Sequence, residues 1–443
     1  MRFCSSILAI AAWASTAYGE VPWDEVLGPA RGAVPPPPRE GKVEWLAGTA
    51  EGMKVARAEN RPLFVTFRCL PCEQCADFDR DVLEGGELLG PLLQRFVCVR
   101  LTNAEHIDMR IFPVDGFQDL DLSWWGYFLS PVGELYGIFG GRDDVSESRR
   151  LSKEALARTL ERVLAHHHDP RRASWKIDGA APDLSGKYPA PWDLPGWKSW
   201  EKNRESKPGC LHCHELVEVL RQPAIDAKTF DKVKDLDMWP LPENVGIELE
   251  RDHGLLVKSV EAGSAAAKAG LRAGDVLGGA GGRKLFGQTD FRGALHRGPR
   301  GSGKIPVVWL RDGRVLQGEI EVAEGWRTTN LDWRMSVSQG NIGANPGFFP
   351  NDVSEKDRKR FGIPKDRMAV RPFLVENEWV GWKGGLRGDH IITAVNGESP
   401  PKTGRAFLVW FRQRHDPGEE IDFAIIDGKG EKRSVKYRVG RTW

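Results

Sequence analysis

Three cysteines stand at positions 69, 72 and 75 in the stretch FRCLPCEQC, residues 67–75. Two thiols separated by two residues can form a disulfide, and a thiolate is the form that attacks one. Cys69 ends an apolar run and lies just before a predicted helix, whose dipole and free amides stabilise a thiolate. Arg68 adds a neighbouring cation. We therefore predict that Cys69 is the nucleophile and that Cys72 resolves the mixed disulfide.

Cys75 follows Cys72 by three residues, which places both on one face of the predicted helix. It can act as a second resolving thiol or complete a three-thiolate site for a soft metal such as Cu(I). A purely structural disulfide is the third interpretation. All three remain open at the level of sequence.

A second cysteine motif, CLHCH, occupies residues 210–214. Cys210 and Cys213 followed by His214 match the pattern for covalent attachment of haem c, in which the histidine ligates the iron. Met238 is the candidate sixth ligand. A local disulfide between the two cysteines, or a zinc site that also uses His212, is the alternative.

The first half of the chain alternates between strand and helix patterns. Apolar runs predict strands at 63–67, 96–101, 125–129 and 135–139, and 3.6-residue periodicity predicts helices at 48–60, 73–83, 87–94 and 153–167. Within the second strand Cys98 is predicted to be an inert buried thiol. His166-His167-His168 is predicted to be a solvated helix end, where imidazoles complement the helix dipole. This order of elements, with the cysteine motif after the first central strand, resembles the thioredoxin fold.

The second half of the chain repeats itself. GLLVKSVEAGSAAAKAGLRAGDVL at 254–277 is partly repeated by VGWKGGLRGDHIITAVNG at 380–397, and each is followed by a helical stretch and a strand that ends in a turn. The two copies resemble paired PDZ domains of the bacterial type that accompany HtrA-like proteases. No serine-protease domain is visible, so protease activity is not implied.

The PDZ resemblance implies a site for a peptide C-terminus. An extended peptide adds a strand to a sheet edge, and backbone amides in a glycine-containing turn bind its carboxylate. Val245-Gly246-Ile247 fits this turn in the first copy, and the helix containing Phe291 and Leu295 would form the facing wall. In the second copy Phe361-Gly362-Ile363 is the candidate, followed by Pro364, which lacks a backbone donor.

The N-terminus predicts export. One basic residue, an apolar run and small residues before position 20 form the layout of a secretory signal peptide. No later segment is apolar enough for a transmembrane helix. Removal of residues 1–19 leaves 62 basic and 62 acidic side chains, a balance that gives no reason to expect a nucleic-acid partner. We expect a periplasmic or otherwise extracytoplasmic bacterial protein.

These patterns predict a multi-domain chain that is α/β first and β-rich afterwards. The predicted segments are a signal peptide (1–19), a proline-rich leader (20–41), a thioredoxin-like domain (42–168), a linker (169–208), the CxxCH segment (209–240), a first PDZ domain (241–325), a connector (326–360) and a second PDZ-like domain (361–441). The whole resembles bacterial thioredoxin–PDZ fusion proteins, some of which carry selenocysteine at the redox motif.

The resemblance implies a thiol–disulfide oxidoreductase whose PDZ domain holds a client peptide, with a separate redox partner protein. Thioredoxins place a cis-proline before the strand that faces the motif. Here that position falls near Ser123 and Trp124 and holds no proline, which favours the metal alternative for the three cysteines. The competing functions are electron transfer by a c-type haem and non-catalytic peptide scaffolding.

Overall fold

The structure is a computed structural model. It describes residues 21–31, 34–67, 83–84, 86–102, 107–112, 124–140, 152–202, 213–232, 234–236, 238–327, 331, 334–338, 340, 342–402 and 404–441.

The N-terminal part forms a mixed five-stranded sheet in the order β1-β3-β2-β4-β5. Its strands are β1 (Trp45–Leu46), β2 (Leu63–Phe67), β3 (Val97–Leu101), β4 (Trp125–Leu129) and β5 (Leu135–Gly140). The first three are parallel, and β4 and β5 are antiparallel to their neighbours. β2 therefore lies at the centre of the sheet, and β5 forms one edge.

Helices cover both faces of this sheet. They are α2 (Thr49–Glu59), α3 (Gly86–Leu93) and α4 (Lys153–His167); a short α1 (Trp23–Val26) precedes them. Along β2, Leu63, Val65 and Phe67 enter the cluster that contains α2, whereas Phe64 enters the cluster that contains α3 and α4. Successive side chains of a strand point to opposite faces, so a strand covered on both faces is apolar throughout.

Between the sheet and the repeats the chain forms short helices packed through tryptophans. They are α5 (Arg172–Trp175), a 3₁₀ turn (Pro191–Asp193), α6 (Trp197–Lys202) and α7 (Cys213–Asp226). Trp175 and Trp200 are buried. The predicted linker is therefore a packed segment within its described residues.

The first repeat contains a 3₁₀ turn (Pro242–Val245), β6 (Ile247–Leu249), β7 (Val257–Val260), α8 (Ala265–Lys268), β8 (Val276–Ala280), β9 (Arg283–Lys284), α9 (Gln288–Arg297), β10 (Gly303–Arg311) and β11 (Arg314–Val322). β6 and β7 form a two-stranded sheet, and the others form a sheet in the order β11-β10-β8-β9. α9 packs mainly on β5 and β8. This helix is thus shared between the N-terminal sheet and the first repeat.

The second repeat follows α10 (Met335–Ser338). It consists of β12 (Phe349–Asp352), α11 (Glu355–Arg360), β13 (Val370–Leu374), α12 (Val380–Lys383), β14 (Ile391–Val395), α13 (Gly404–Arg414), β15 (Glu420–Ile426) and β16 (Lys432–Arg438). All five strands form one antiparallel sheet in chain order. The sheet therefore begins at β12, within the segment predicted to be a connector.

Phe286 joins the first repeat to the N-terminal sheet. Its side chain is 1% exposed and belongs to the cluster formed by α3, α4 and one face of the N-terminal sheet. The Phe286 carbonyl accepts hydrogen bonds from Thr159 Oγ1 (3.2 Å) and Arg162 Nη1 (2.9 Å), both on α4. Burial of one phenylalanine contributes roughly 1.5–3 kcal/mol. The two units therefore share one core.

The segment around α1 packs on the outside of the first repeat. A Cβ atom added to Gly278 or Gly279 of β8 would lie 2.3 Å from Leu27 or 2.5 Å from Trp23, respectively. Lys284 also donates a hydrogen bond to the Val26 carbonyl at 2.9 Å. Two glycines thus make room on β8 for the N-terminal segment, and larger residues would displace it.

Replacement of Phe286 by alanine should destabilise the protein more than a matched surface change. Because the side chain fills a shared core, Phe286→Ala should lower the free energy of unfolding by about 3–5 kcal/mol in denaturant titrations. Phe373→Ala is the control, since Phe373 is 57% exposed, and it should change that free energy by less than about 0.5 kcal/mol. Equal effects of the two substitutions would contradict the shared core.

Candidate functional site

The cysteine motif begins where β2 ends. Phe67, the last residue of β2, lies opposite Trp125 of β4, which lies opposite Gly140 of β5. Arg68, Cys69, Cys72 and Cys75 follow directly in sequence but lie outside the described residues. In the sequence, the motif thus begins one residue after the end of the central strand.

Aromatic packing holds this end of the sheet. The Phe67 ring makes edge contacts with Phe112 and Tyr127, with ring centroids 4.8 and 5.4 Å apart. Trp124, just before β4, is buried against Phe64 and Phe139. No cis peptide occurs among the described residues, and Ser123 lies outside them. The position that carries the cis-proline in thioredoxins is therefore next to a large buried aromatic ring.

Cys98 is an inert thiol, as the sequence predicted. It is buried in β3, and its Sγ donates to the Leu93 carbonyl at 3.4 Å. Burial raises the pKa of the Cys98 thiol to about 12. A thiol that stays protonated at neutral pH is neither a nucleophile nor a metal ligand.

The prediction of a solvated end for the histidine run is wrong. His166 is 1% exposed, and its Nε2 lies 2.6 Å from Asp178 Oδ1, while His167 Nδ1 lies 2.8 Å from the Tyr136 hydroxyl. Burial lowers the pKa of all three histidines, and that of His167 to about 3. These imidazoles are part of the packing of α4 against β5 and against the segment that follows α4.

The CxxCH motif begins α7. Cys213 and His214 are the first two residues of the helix, their side chains lie outside the described part, and so does Cys210. Further along the helix, Arg221 donates to the Leu236 carbonyl at 2.6 Å. Arg221 is eight residues from Cys213, about 12 Å along the helix axis. The segment that carries Met238 thus meets α7 far from the motif.

Met238 is packed away in an apolar cluster. It is buried with Leu236, Val337, Ile342 and Val409, residues that precede or belong to the second repeat. A thioether can ligate haem iron only if it faces the iron. The side chains of the CxxCH motif lie outside the described residues, so the role of Met238 as a haem ligand stays a prediction from the sequence.

Glu218 is a buried carboxyl on α7. Its Oε2 accepts a hydrogen bond from the Trp200 indole at 3.0 Å. Burial raises the pKa of Glu218 to about 7, an effect that Glu215 reinforces and that Trp200, Arg412 and Arg221 oppose. The carboxyl therefore titrates near neutral pH, and nothing in the sequence around it signalled this.

The predicted carboxylate-binding turn lies before an open strand edge. Gly246 has φ = 84°, and a Cβ atom there would lie 2.2 Å from Ser264 Cβ, so only glycine fits. The Gly246 carbonyl accepts from Glu261 N–H at 2.9 Å. Because hydrogen bonds alternate along an antiparallel strand, the N–H of Ile247 points away from β7. β6 has no second strand partner within the described part of the chain.

The helix predicted to form the wall of the site is α9. Phe291 and Leu295 are buried in one cluster with Val245 and Ile247. The turn, β6 and α9 thus contribute side chains to the same core of the first repeat.

In the second copy the predicted turn is not the one that precedes the edge strand. Phe361-Gly362-Ile363 lies after α11, between β12 and β13, and does not precede the edge strand. The counterpart of Gly246 is Gly347: its φ is 79°, it comes just before β12, and a Cβ atom there would lie 2.5 Å from Gly381 N. The sequence reasoning missed it, although Pro346-Gly347-Phe348 has the required apolar-glycine-apolar pattern.

The second repeat differs from the first beside its edge strand. α13 lies against β12, and Phe348 stacks on Phe407 with ring centroids 5.8 Å apart. Pro350, at the position of Leu249, has no N–H to donate. Among the described residues β12, like β6, pairs with a single strand, but the proline removes one of its backbone donors.

The fold and the site define a thioredoxin-like domain followed by antiparallel sheets. Residues 44–117 match a family model that is described as Thioredoxin-like. The matched region includes the cysteine motif. A comparison with curated proteins gave no significant match.

Among solved structures, the chain is similar to an HtrA-type protease, AlgW, with a decapeptide. The identity is 17%, the TM-score is 0.20, and the match covers 30% of this chain and 39% of that one. A serine-to-alanine variant of AlgW, also with a decapeptide, is 16% identical with a TM-score of 0.21, and the match covers 31% of this chain and 40% of that one. The match thus spans less than half of either protease. TM-scores this low do not indicate a shared fold. Within the described ranges, no helix is long and apolar enough to cross a membrane.

Sequence reasoning also missed the residues that hold the first repeat against β5. Asp290 Oδ1 accepts from Ile138 N–H at 2.8 Å, and Asp290 Oδ2 accepts from Phe286 and Gly287 N–H at 2.9 and 3.1 Å. Burial raises the pKa of Asp290 to about 6, although these three N–H groups oppose the rise. Only the helix-start position of Asp290 hinted at a role.

The buried Glu218 should make stability depend on pH. The pKa of Glu218 is higher in the folded protein than in the unfolded chain. The contribution of Glu218 to the free energy of unfolding is therefore greatest below about pH 4, and it is lost as pH rises through about 7. Glu218→Gln keeps an acceptor for Trp200 but cannot titrate. Between pH 4 and 8, the free energy of unfolding of the native protein should fall by up to about 3 kcal/mol more than that of the variant, as measured by denaturant titrations. Parallel pH profiles would show that Glu218 is not perturbed.

Proposed function

We propose that the protein is an exported thiol–disulfide redox protein whose first repeat is a PDZ-like domain that binds a peptide C-terminus. The observation that carries the redox part is the position of the CxxC motif directly after Phe67, the end of the central strand, inside the region that matches the thioredoxin-like family. Export rests on the signal-peptide pattern in residues 1–19.

The redox step needs only the motif and a client disulfide. The Cys69 thiolate attacks one client sulfur, the client disulfide breaks, and a mixed disulfide forms while the other client sulfur leaves as a thiolate. The Cys72 thiolate then attacks Cys69 and releases the second client sulfur. The client disulfide is reduced to two thiols, and Cys69 and Cys72 lose two electrons to form a disulfide; the reverse steps oxidise a client. Cys75 is proposed as a second resolving thiol.

Peptide binding is proposed at the outer edge of β6. An extended peptide there would hydrogen-bond to the outward-facing backbone of Ile247, and its terminal carboxylate would lie at the turn around Gly246. Side chains of the peptide would contact α9, the helix that also packs on β5. The client would thus be held by the domain that is docked to the redox domain.

Alternative occupants of the cysteine motifs remain proposals of lower rank. A soft metal bound by Cys69, Cys72 and Cys75 is one, and haem c attached to Cys210 and Cys213 with His214 as ligand is another. Met238 is the proposed sixth ligand of that haem. A peptide-binding scaffold without redox activity is the proposal that would remain if the cysteines proved inert.

The assignment of Cys69 as nucleophile can be tested by alkylation of reduced protein across pH. A thiol at a helix N-terminus beside Arg68 should react with an apparent pKa below ~8.5, and Cys69→Ser should remove this fast phase. Cys98→Ser is the control, since the buried Cys98 should not contribute to it. A fast phase that depends on Cys72 or Cys75 instead would reassign the roles, and copper uptake that needs all three thiols would favour the metal site.

Peptide binding can be tested by isothermal titration with a decapeptide that ends in valine. Amidation of its C-terminus should weaken binding by about 1–3 kcal/mol, because the amides of the turn lose a charged acceptor. Gly246→Ala should abolish binding, because the added Cβ atom collides with Ser264.

Gly347→Ala is the matched control for this experiment. It introduces a similar collision at a similar backbone angle in the second repeat, and it should leave peptide binding unchanged. Equal affinities for free and amidated peptide would rule out binding through the carboxylate.

A further inference from the structure

An apolar slot crosses the boundary between the first repeat and the segment that follows α4. Its lining comes from β8, from β10 and from the residues around α5: Gly278, Gly279, Val308, Trp175 and Ile177. Residues 21–31, which include α1, fill this slot. Trp23 and Val26 are only 8% and 2% exposed there. The slot thus holds a short stretch of the chain in the way that a protein holds a bound peptide.

Two glycines of β8 give the slot its depth. A Cβ atom on Gly279 would lie 2.5 Å from the Trp23 ring, and one on Gly278 would lie 2.3 Å from Leu27 Cδ1. Neither glycine has a positive φ, so their role is to leave space. Trp23 and Leu27 are four residues apart and lie on one face of a helical turn. The slot therefore fits an aromatic side chain that is followed four residues later by an aliphatic one.

Polar side chains surround the helical turn. Lys284 donates a hydrogen bond to the Val26 carbonyl at 2.9 Å. Glu25 Oε2 accepts from the Trp175 indole at 3.5 Å and lies 3.8 Å from Arg171 Nη1. An acidic residue two positions after the aromatic one therefore meets a donor and a cation.

The residues after α1 are held through their backbone. Arg171 donates to the Pro29 carbonyl at 3.3 Å, and Asp169 accepts from the Arg31 N–H at 3.3 Å. Arg171 and Asp169 are themselves paired at 2.7 Å, which fixes both side chains. Because these bonds go to backbone groups, they depend little on the sequence that follows the helical turn.

The segment depends on the slot for its own structure. α1 has four residues, and no side-chain hydrogen bond caps its N-terminus. A helix this short does not persist by itself in water. The hydrogen bonds that hold the segment join residues 138 to 258 positions apart, and Val34, just beyond it, is 91% exposed. The segment thus contacts the slot as a tethered ligand would.

We propose that this slot is a peptide-binding site and that residues 21–31 are its exchangeable occupant. Its ligand is a helical turn that begins with an aromatic residue, has an acidic residue two positions later and aliphatic residues three and four positions later, and continues as an extended stretch. The tethered segment keeps the site closed to other ligands, and a separate peptide of the same chemistry takes its place when it leaves. This inference does not rest on the proposed function.

The test is the binding of a fluorescent peptide of residues 21–31 to the full-length protein, measured by anisotropy. In the Trp23→Ala variant the tethered segment has lost its anchor and competes poorly. Because a tethered competitor acts at an effective concentration on the order of 1 mM, the variant should bind the peptide at least about tenfold more tightly than the native protein. Equal affinities, or a folded variant that does not bind the peptide, would refute the exchange.

Two glycine substitutions check where the peptide binds. Added to Trp23→Ala, Gly279→Ala should weaken binding by about tenfold or more, because the new Cβ atom collides with the indole of the peptide. Gly388→Ala is the matched control: a Cβ atom there lies 3.6 Å from the Pro372 carbonyl oxygen, an ordinary contact in the second repeat, and the affinity should not change. A Gly279→Ala effect no larger than that of Gly388→Ala would refute the slot as the site.

A second variant keeps the test valid if Trp23→Ala does not fold. A protease site inserted after Arg31 is cut once the native protein has folded, so that only contacts in the slot still hold the segment. We expect the segment to dissociate on dilution to nanomolar protein and the added peptide to refill the slot. A segment that stays bound at that dilution, or an emptied slot that does not take the peptide, would overturn the proposal.

Discussion

The arrangement of the domains depends on how the first repeat covers β5, the edge strand of the N-terminal sheet. The outer edge of a sheet presents backbone groups that need partners, and an uncovered edge invites pairing with other chains. Here the partners of β5 are side chains of Arg283, Thr289 and Asp290, supplied by a domain that begins about a hundred residues later. Because these side chains stand on or beside α9, the position of the first repeat is fixed by the hydrogen-bonding needs of β5.

Trp239 extends this arrangement to the rest of the chain. Its ring belongs to the core on the α2 side of the N-terminal sheet and stacks on His296 of α9, with ring centroids 5.4 Å apart. Its carbonyl accepts from Arg334, just before α10. The preceding residue, Met238, packs against the second repeat. Two consecutive residues thus contact the N-terminal domain and both repeats, which leaves the segment between the CxxCH motif and the turn at Gly246 little freedom.

Much of the fold could be predicted because local patterns carry it. The apolar runs predict β2 and β3, and the helical periodicity predicts α4, at nearly the observed bounds. The glycines that recur at matching positions predict the repeat in the second half of the chain. The histidine run was misread because its partners are distant: Asp178 and Tyr136 lie on other segments. The turn at Gly347 escapes sequence analysis because Gly362 also has apolar neighbours, and only the strand pairing of β12 shows which glycine precedes the edge strand. Features that depend on contacts between domains could not be predicted from the sequence, because their partners are distant along the chain.

The N-terminal segment has a consequence for the order of folding. Lys284 and Val26, which are hydrogen-bonded, are separated by 258 positions, and the sheet that receives Trp23 also needs β10. During synthesis Trp23 emerges early but cannot reach its place until most of the chain has followed. Contacts of such long sequence separation form late and slowly. Until then the glycine-lined face of β8 and the apolar side chains of α1 stay exposed, so the newly made chain passes through a stage in which it is open to aggregation or to a chaperone.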